Sequence, residues 1–167
     1  MLHNPLPPVA RLLARQPWMM RAAPLVMWLE SLIRRLTRGR RGILDVAGLP
    51  SLEITVPGRK TGLPRTTSLL TVPSGDVFLV LGSGWGSTKH PAWTANLRAA
   101  ETASVVYQGQ RFTVTVTELH GVDRKQAWDY ALDFWPGYEM EHRRSDHREF
   151  RIFELRRVGL DRYRQTS

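Results

Sequence analysis

The 167-residue chain contains no cysteine, which excludes disulfide staples, thiolate catalysis and cysteine-ligated metal sites together. Its 24 Lys and Arg against 15 Asp and Glu give a formal charge of +9, so the partners to look for are anionic: a phosphorylated cofactor, nucleic acid or an acidic membrane surface. The length suits one domain with an extension, and five histidines without metal-like spacing leave no metal site expected.

Residues 1–42 form a basic extension in which Glu30 is the single acidic residue, and residues 43–167 form the main domain. The apolar run over residues 22–29 is too short to span a bilayer and contains Pro24, and the arginines at 11, 15 and 21 argue against a signal peptide. From Pro24 onward Leu25, Trp28, Leu29, Leu32, Ile33 and Leu36 keep helical spacing, and Arg34, Arg35, Arg38, Arg40 and Arg41 gather at the C-terminal end, which suits the helix dipole. Two readings of this amphipathic helix stay open: it lies on an anionic membrane, or it packs on its own domain or a second subunit.

Residues 51–56 and 65–72 read as strands joined by the turn-rich loop Pro57-Gly58-Arg59-Lys60-Thr61-Gly62-Leu63-Pro64. With Arg65, that loop brings three cations within seven positions, either as a phosphate grip or as an exposed basic hairpin. A third strand, residues 77–81, empties into Gly82-Ser83-Gly84-Trp85-Gly86 ahead of a helix over residues 91–100, with Pro91 in its first turn. Bare glycine backbone and a helix N-terminus make a plausible cofactor cradle, although an ordinary strand-to-helix connection has the same composition. Neither the P-loop nor the dinucleotide fingerprint is matched.

Residues 104–107 and 111–118 form a hairpin, Phe112, Val114 and Val116 alternating with threonines so that one face is buried. Asp123 with Gln126 resembles a capping box opening a helix through Trp128, Leu132 and Trp135, which Pro136-Gly137 interrupts. A charged short helix or loop carrying Tyr138 and His142 follows, and residues 150–157 make the last strand. Six strands dominated by antiparallel hairpins predict an α+β barrel rather than a doubly wound parallel sheet.

Gly58-Arg59-Lys60-Thr61-Gly62-Leu63-Pro64-Arg65, the Gly82 to Gly86 loop and Lys89-His90-Pro91-Ala92-Trp93-Thr94-Ala95-Asn96-Leu97, in this order and spacing, resemble the deazaflavin-dependent nitroreductase family. The resemblance covers residues 52–157 and implies a split β-barrel related to the pyridoxamine-phosphate-oxidase and flavin-reductase architecture. It implies coenzyme F420 as cofactor and hydride transfer from its reduced form to quinones or nitro compounds. Carried over by position, Arg59, Lys60 and Arg65 would hold the phosphodiester and oligoglutamate tail, and Ser83, Gly84, Trp85 and Gly86 would lie against the ring. Lys89, His90, Trp93 and Asn96 fall on the matching helix start, with Trp93 equally readable as a core anchor.

The resemblance further implies a tyrosine after an aromatic-Pro pair, matched by Tyr138 after Trp135-Pro136, as first candidate for the donor that stabilises the reduced acceptor. His142 is the second, and Trp135 would wall a flat substrate. Three positions depart from the pattern: Glu141 stands where many relatives have a further tyrosine, the final strand lacks its common proline near Arg151, and Trp85 is bulkier than expected. Reduction of nitroimidazoles therefore does not follow. Pairing of two chains is a further implication of the family; a cytoplasmic location with peripheral membrane contact is the expectation drawn from the basic amphipathic helix in residues 1–42. A coenzyme-binding protein without turnover, an FMN-dependent relative and a nucleic-acid module are the competing readings, and nucleic acid is not the expected partner.

Overall fold

The computed structural model describes residues 49–159 together with Leu25 and Leu29. The amphipathic helix expected in residues 1–42 thus lies outside the described residues, apart from Leu25 and Leu29, which are helical and exposed.

Seven strands make one antiparallel sheet: β1 (Ser51–Pro57), β2 (Pro64–Leu70), β3 (Val72–Ser74), β4 (Val77–Leu81), β5 (Thr102–Tyr107), β6 (Gln110–Glu118) and β7 (Ile152–Arg157), in the order β2-β1-β5-β6-β7-β4-β3. Among the described residues a 3-10 turn, Gly84–Gly86, and three α-helices accompany it: α1 (Ala92–Arg98), α2 (Gly121–Phe134) and α3 (Gly137–Arg144).

The two outermost strands, β2 and β3, are neighbours in sequence with only Thr71 between them, so the sheet has to curl until its edges approach. The single strand expected over residues 65–72 is for this reason two, and the count rises from six to seven. Thr71 is the corner: it is fully buried, its backbone N–H donates to Pro50 O at 3.0 Å and its Oγ1 donates to Leu79 O at 3.0 Å. A buried polar corner persists because both donors are satisfied.

Period-two alternation sorts side chains between two clusters. Leu79 and Leu81 of β4 pack with Val72, Ile152 and the α2–α3 residues Ala127, Ala131, Phe134, Trp135 and Tyr138. Val80, between them, joins Leu52, Ile54, Val105, Val114, Phe153, Leu155 and Leu97 of α1 on the opposite face. Each such fully buried aliphatic or aromatic side chain contributes about 1.5–3 kcal/mol.

Helix starts differ from the sequence expectation. Pro91 precedes α1 in extended conformation (φ −58°, ψ 140°) instead of lying in its first turn, and Thr94 Oγ1 bonds back to Pro91 O at 2.8 Å. Helix α2 begins two residues before Asp123, after His120, so Asp123 sits within the first turn and favours the helix by charge rather than as its cap. Trp135 ends α2 in extended conformation (φ −132°, ψ 91°), as the residue preceding a proline must.

Candidate active site

Strand β4 delivers the chain into the glycine loop, which runs between α1 and α3. Gly82 N donates to Arg151 O at 2.8 Å, and a Cβ at Gly82 would stand 2.7 Å from Thr94 Cγ2, so α1 can approach only a glycine here. Gly84, Trp85 and Gly86 then take three successive left-handed conformations (φ 59°, 57° and 76°). Trp85 is a bulky residue in a region that penalises side chains, so the surroundings must hold it there.

Two residues do so. Arg148 donates from Nη2 to Gly82 O (3.0 Å) and Ser83 O (2.9 Å) and from Nε to Ser87 O (3.1 Å), and its Nη1 meets His90 Nδ1 at 2.9 Å. From the other side the Glu141 carboxyl accepts hydrogen bonds from the Ser83 hydroxyl and the Trp85 backbone N–H. Helix α3 presses so closely that a Cβ at Gly86 would lie 2.9 Å from Arg144 Cβ. Glu141 is 4% exposed, and burial pushes its pKa up to about 7 despite both hydrogen bonds. Its Oε2 is buried without a hydrogen-bond partner among the described residues.

His90 is pushed below the usual histidine range by burial first and then by the charges of Arg151, Arg148 and Arg98, with Glu118 opposing. A neutral imidazole is what Arg148 requires, because only an unprotonated Nδ1 can accept its N–H. Arg151 Nη1 reaches Thr94 Oγ1 at 3.1 Å, closing this side of α1.

The basic loop lies beside the same helix. Arg59 N donates to Asn96 Oδ1 at 3.2 Å, tying the β1–β2 turn to α1. The turn itself is closed by Gly58 N to Leu63 O (2.8 Å) and Gly62 N to Gly58 O (2.7 Å), with Gly62 left-handed at φ 69°. Arg59, Lys60 and Arg65 are exposed and form no ion pair with a described residue. The arrangement leaves three cations available to an anion.

The remaining residues singled out from sequence divide clearly. Ser83 is nearly buried and Trp85 half-buried in the loop, while Lys89 is exposed at its exit. Trp93 stacks at a tilt on Phe153, ring centroids 6.1 Å apart, on the side of the second core cluster. Trp135 and Tyr138 are 4% and 2% exposed within the first cluster, and burial drives the Tyr138 hydroxyl well above the ordinary tyrosine range, with the Glu141 charge adding to it. His142 packs among Trp128, Phe150 and His147 with ring centroids 5.4, 5.7 and 5.2 Å away.

Sequence reasoning missed Arg148 and Arg151 as loop supports, since nothing local connects them to residues some sixty positions earlier. Glu141 was visible only as a departure from a family tyrosine.

A family model described as F420H(2)-dependent quinone reductase matches residues 30–154. F420H(2)-dependent quinone reductases of Mycobacterium tuberculosis strains CDC 1551 and H37Rv are 35% identical over 102 residues, covering 60% of this chain and 68% of theirs. Among solved structures, an F420-H2 dependent reductase (FDR-A) superposes with a TM-score of 0.57 at 29% identity, over 64% of this chain and 93% of its own. A chain described as a domain-swapped dimer gives 0.59 at 27% identity, over 77% and 96%. Curled antiparallel sheet, glycine loop and basic turn therefore agree with the similarity along the sequence, and the chain belongs to the F420H(2)-dependent quinone reductase family.

Proposed function

We infer that the chain reduces a hydrophobic quinone-like or nitroaromatic acceptor with hydride from F420H2. The observation that carries this reading is the Arg59–Asn96 tie, which sets three exposed cations, without an ion pair among the described residues, beside the helix that leaves the glycine loop. The coenzyme's phosphodiester and oligoglutamate tail are polyanionic, and the residues present fit them. When bound, the reduced deazaflavin supplies two electrons as hydride, so no protein nucleophile or metal is required.

The chain's own tasks are binding and orientation. Arg59, Lys60 and Arg65 hold phosphate and tail by charge. Ser83, Gly84, Trp85 and Gly86 offer the ring a surface that Arg148 and Glu141 keep fixed, which makes the approach of an acceptor reproducible. Lys89 and His90 border that surface ahead of α1 and Asn96 reaches the basic turn from the last turn of the helix, whereas Trp93 serves it by anchoring the helix. Tyr138, His142 and Trp135 act from beneath, as packing between α3 and the core. The exposed side of the loop then leaves its backbone N–H groups for stabilising the reduced acceptor.

Fluorescence titration of the protein with coenzyme F420, followed by F420H2 and menadione, tests this reading. Saturable binding with reoxidation supports it; binding without reoxidation turns the protein into a carrier, and no binding overturns it. Two further parts of the reading concern assembly and place. A homodimer is proposed because a related structure is described as a domain-swapped dimer, and light scattering giving a monomer mass would refute it. A cytoplasmic protein touching an anionic membrane through residues 1–42 is proposed from their charge and the exposed Leu25 and Leu29. No helix among the described residues is long and apolar enough to cross a membrane. Undiminished sedimentation with anionic liposomes after deletion of residues 1–40 would remove that part.

A further inference from the structure

Helix α3 has two working faces. Tyr138 and His142, four residues apart, turn to Trp128 of α2 with ring centroids 6.5 and 5.4 Å away. Glu141 instead turns to the glycine loop, where its carboxyl meets the Ser83 hydroxyl and the Trp85 N–H. Its Oε2 is buried and has no hydrogen-bond partner among the described residues, which leaves that oxygen free to carry a proton.

Among the described residues, the groups around this carboxyl do not neutralise it. Arg148 is occupied by three loop carbonyls and His90, the Arg144 stem packs on Gly86, and Tyr138 on its own helix is neutral. Lys89 and His90 stand at the exposed exit of the loop, and α2 presents the Trp128 ring. A buried carboxylate with no cation beside it is costly, and its protonated form is favoured near neutrality.

We propose that Glu141 is a proton-linked positioning residue: its carboxyl holds the Ser83–Trp85 turn, and it takes up a proton when an anionic planar ligand settles on that turn. The inference rests on the reading of the loop as the coenzyme site. A ligand lying over Ser83 and Trp85 removes the water still reaching them and adds net negative charge. Both changes penalise the carboxylate and neither penalises the neutral acid. The proton comes from solvent to Oε2, and no other bond changes. Linkage is reciprocal, so raising the pH through neutrality weakens the ligand.

Calorimetric titration of the full chain with oxidised coenzyme F420, in two buffers of different ionisation enthalpy near neutral pH, counts the protons taken up. The wild-type protein is expected to take up several tenths of a proton more per coenzyme than Glu141→Gln, and its affinity to fall several-fold relative to that variant as the medium turns alkaline. Equal proton counts and parallel affinities in two binding-competent proteins would overturn the inference. Failure of the wild type to bind would overturn the coenzyme reading beneath it, and this inference with it. Should Glu141→Gln not fold, the wild type alone decides: proton uptake, corrected for the free coenzyme's own titration, must vary across neutrality, and a value fixed at zero refutes the role.

Discussion

Replacing Glu141 by Gln should change how stability depends on pH, by an amount the structure sets. In the folded chain the carboxyl ionises near 7, in the unfolded chain near 4.5. Between those values the folded state keeps a proton that the unfolded state has released, so raising the pH through the interval removes stability. Below it both states are protonated and above it both are ionised, and stability no longer changes on this account. The full shift corresponds to about 3 kcal/mol, at about 1.36 kcal/mol per pH unit. Up to about 1 kcal/mol of that is already lost at about pH 5, so about 2 kcal/mol remains to be lost by about pH 8. Glutamine has the shape of the neutral acid and does not titrate. Urea unfolding of both proteins across this range, followed by far-ultraviolet circular dichroism, should therefore show wild type declining against the variant by that amount. Because every other titratable group is common to both proteins, the difference isolates Glu141. A difference that stays constant with pH would show that the carboxyl is not held protonated, and would refute the account of its burial.

Lys60→Ala with Arg65→Ala should weaken coenzyme binding more than tenfold in fluorescence titration, with thermal stability unchanged because both side chains are exposed; unaltered affinity would return the loop to a plain basic hairpin. Arg148→Ala strips the Gly82, Ser83 and Ser87 carbonyls of their donors and should cost about 2–4 kcal/mol in chemical unfolding, with Arg148→Lys recovering only part, since an ammonium lacks the guanidinium's planar set of donors. Gly82→Ala would force a Cβ against Thr94 Cγ2, 2.7 Å away, at a cost of about 1–3 kcal/mol; a fully stable variant would contradict the packing of α1. Tyr138→Phe removes a hydroxyl from the core and is expected to leave kcat within about twofold, whereas a large fall in kcat at constant KM would make that hydroxyl a donor.

Much of the strand pattern was legible because it rests on local chemistry. The alternation Phe112, Val114, Val116 gives β6, and the apolar run ending at Leu81 gives β4. The bend at Thr71 was not legible, since an unbroken β-favouring run carries no mark of the curl that bends it. Only the closure of the sheet makes Thr71 a corner. In the candidate site the glycines and the three cations stood out by type and spacing, whereas Trp93 divided evenly between core and site, and its half-buried ring lies against Phe153.

The sequence by itself determined the charge, the antiparallel α+β pattern, the basic turn and the glycine loop, because each depends on residues adjacent or a few positions apart. The tertiary structure alone decided which side chains hold that loop. Arg148 and Glu141 lie far along the chain from it, and their roles come from the way α3 and the strand start at Arg151 are laid against β4 and α1. The same packing turned Tyr138 inward and Glu141 toward the loop, because the core and the loop press on adjoining sides of α3.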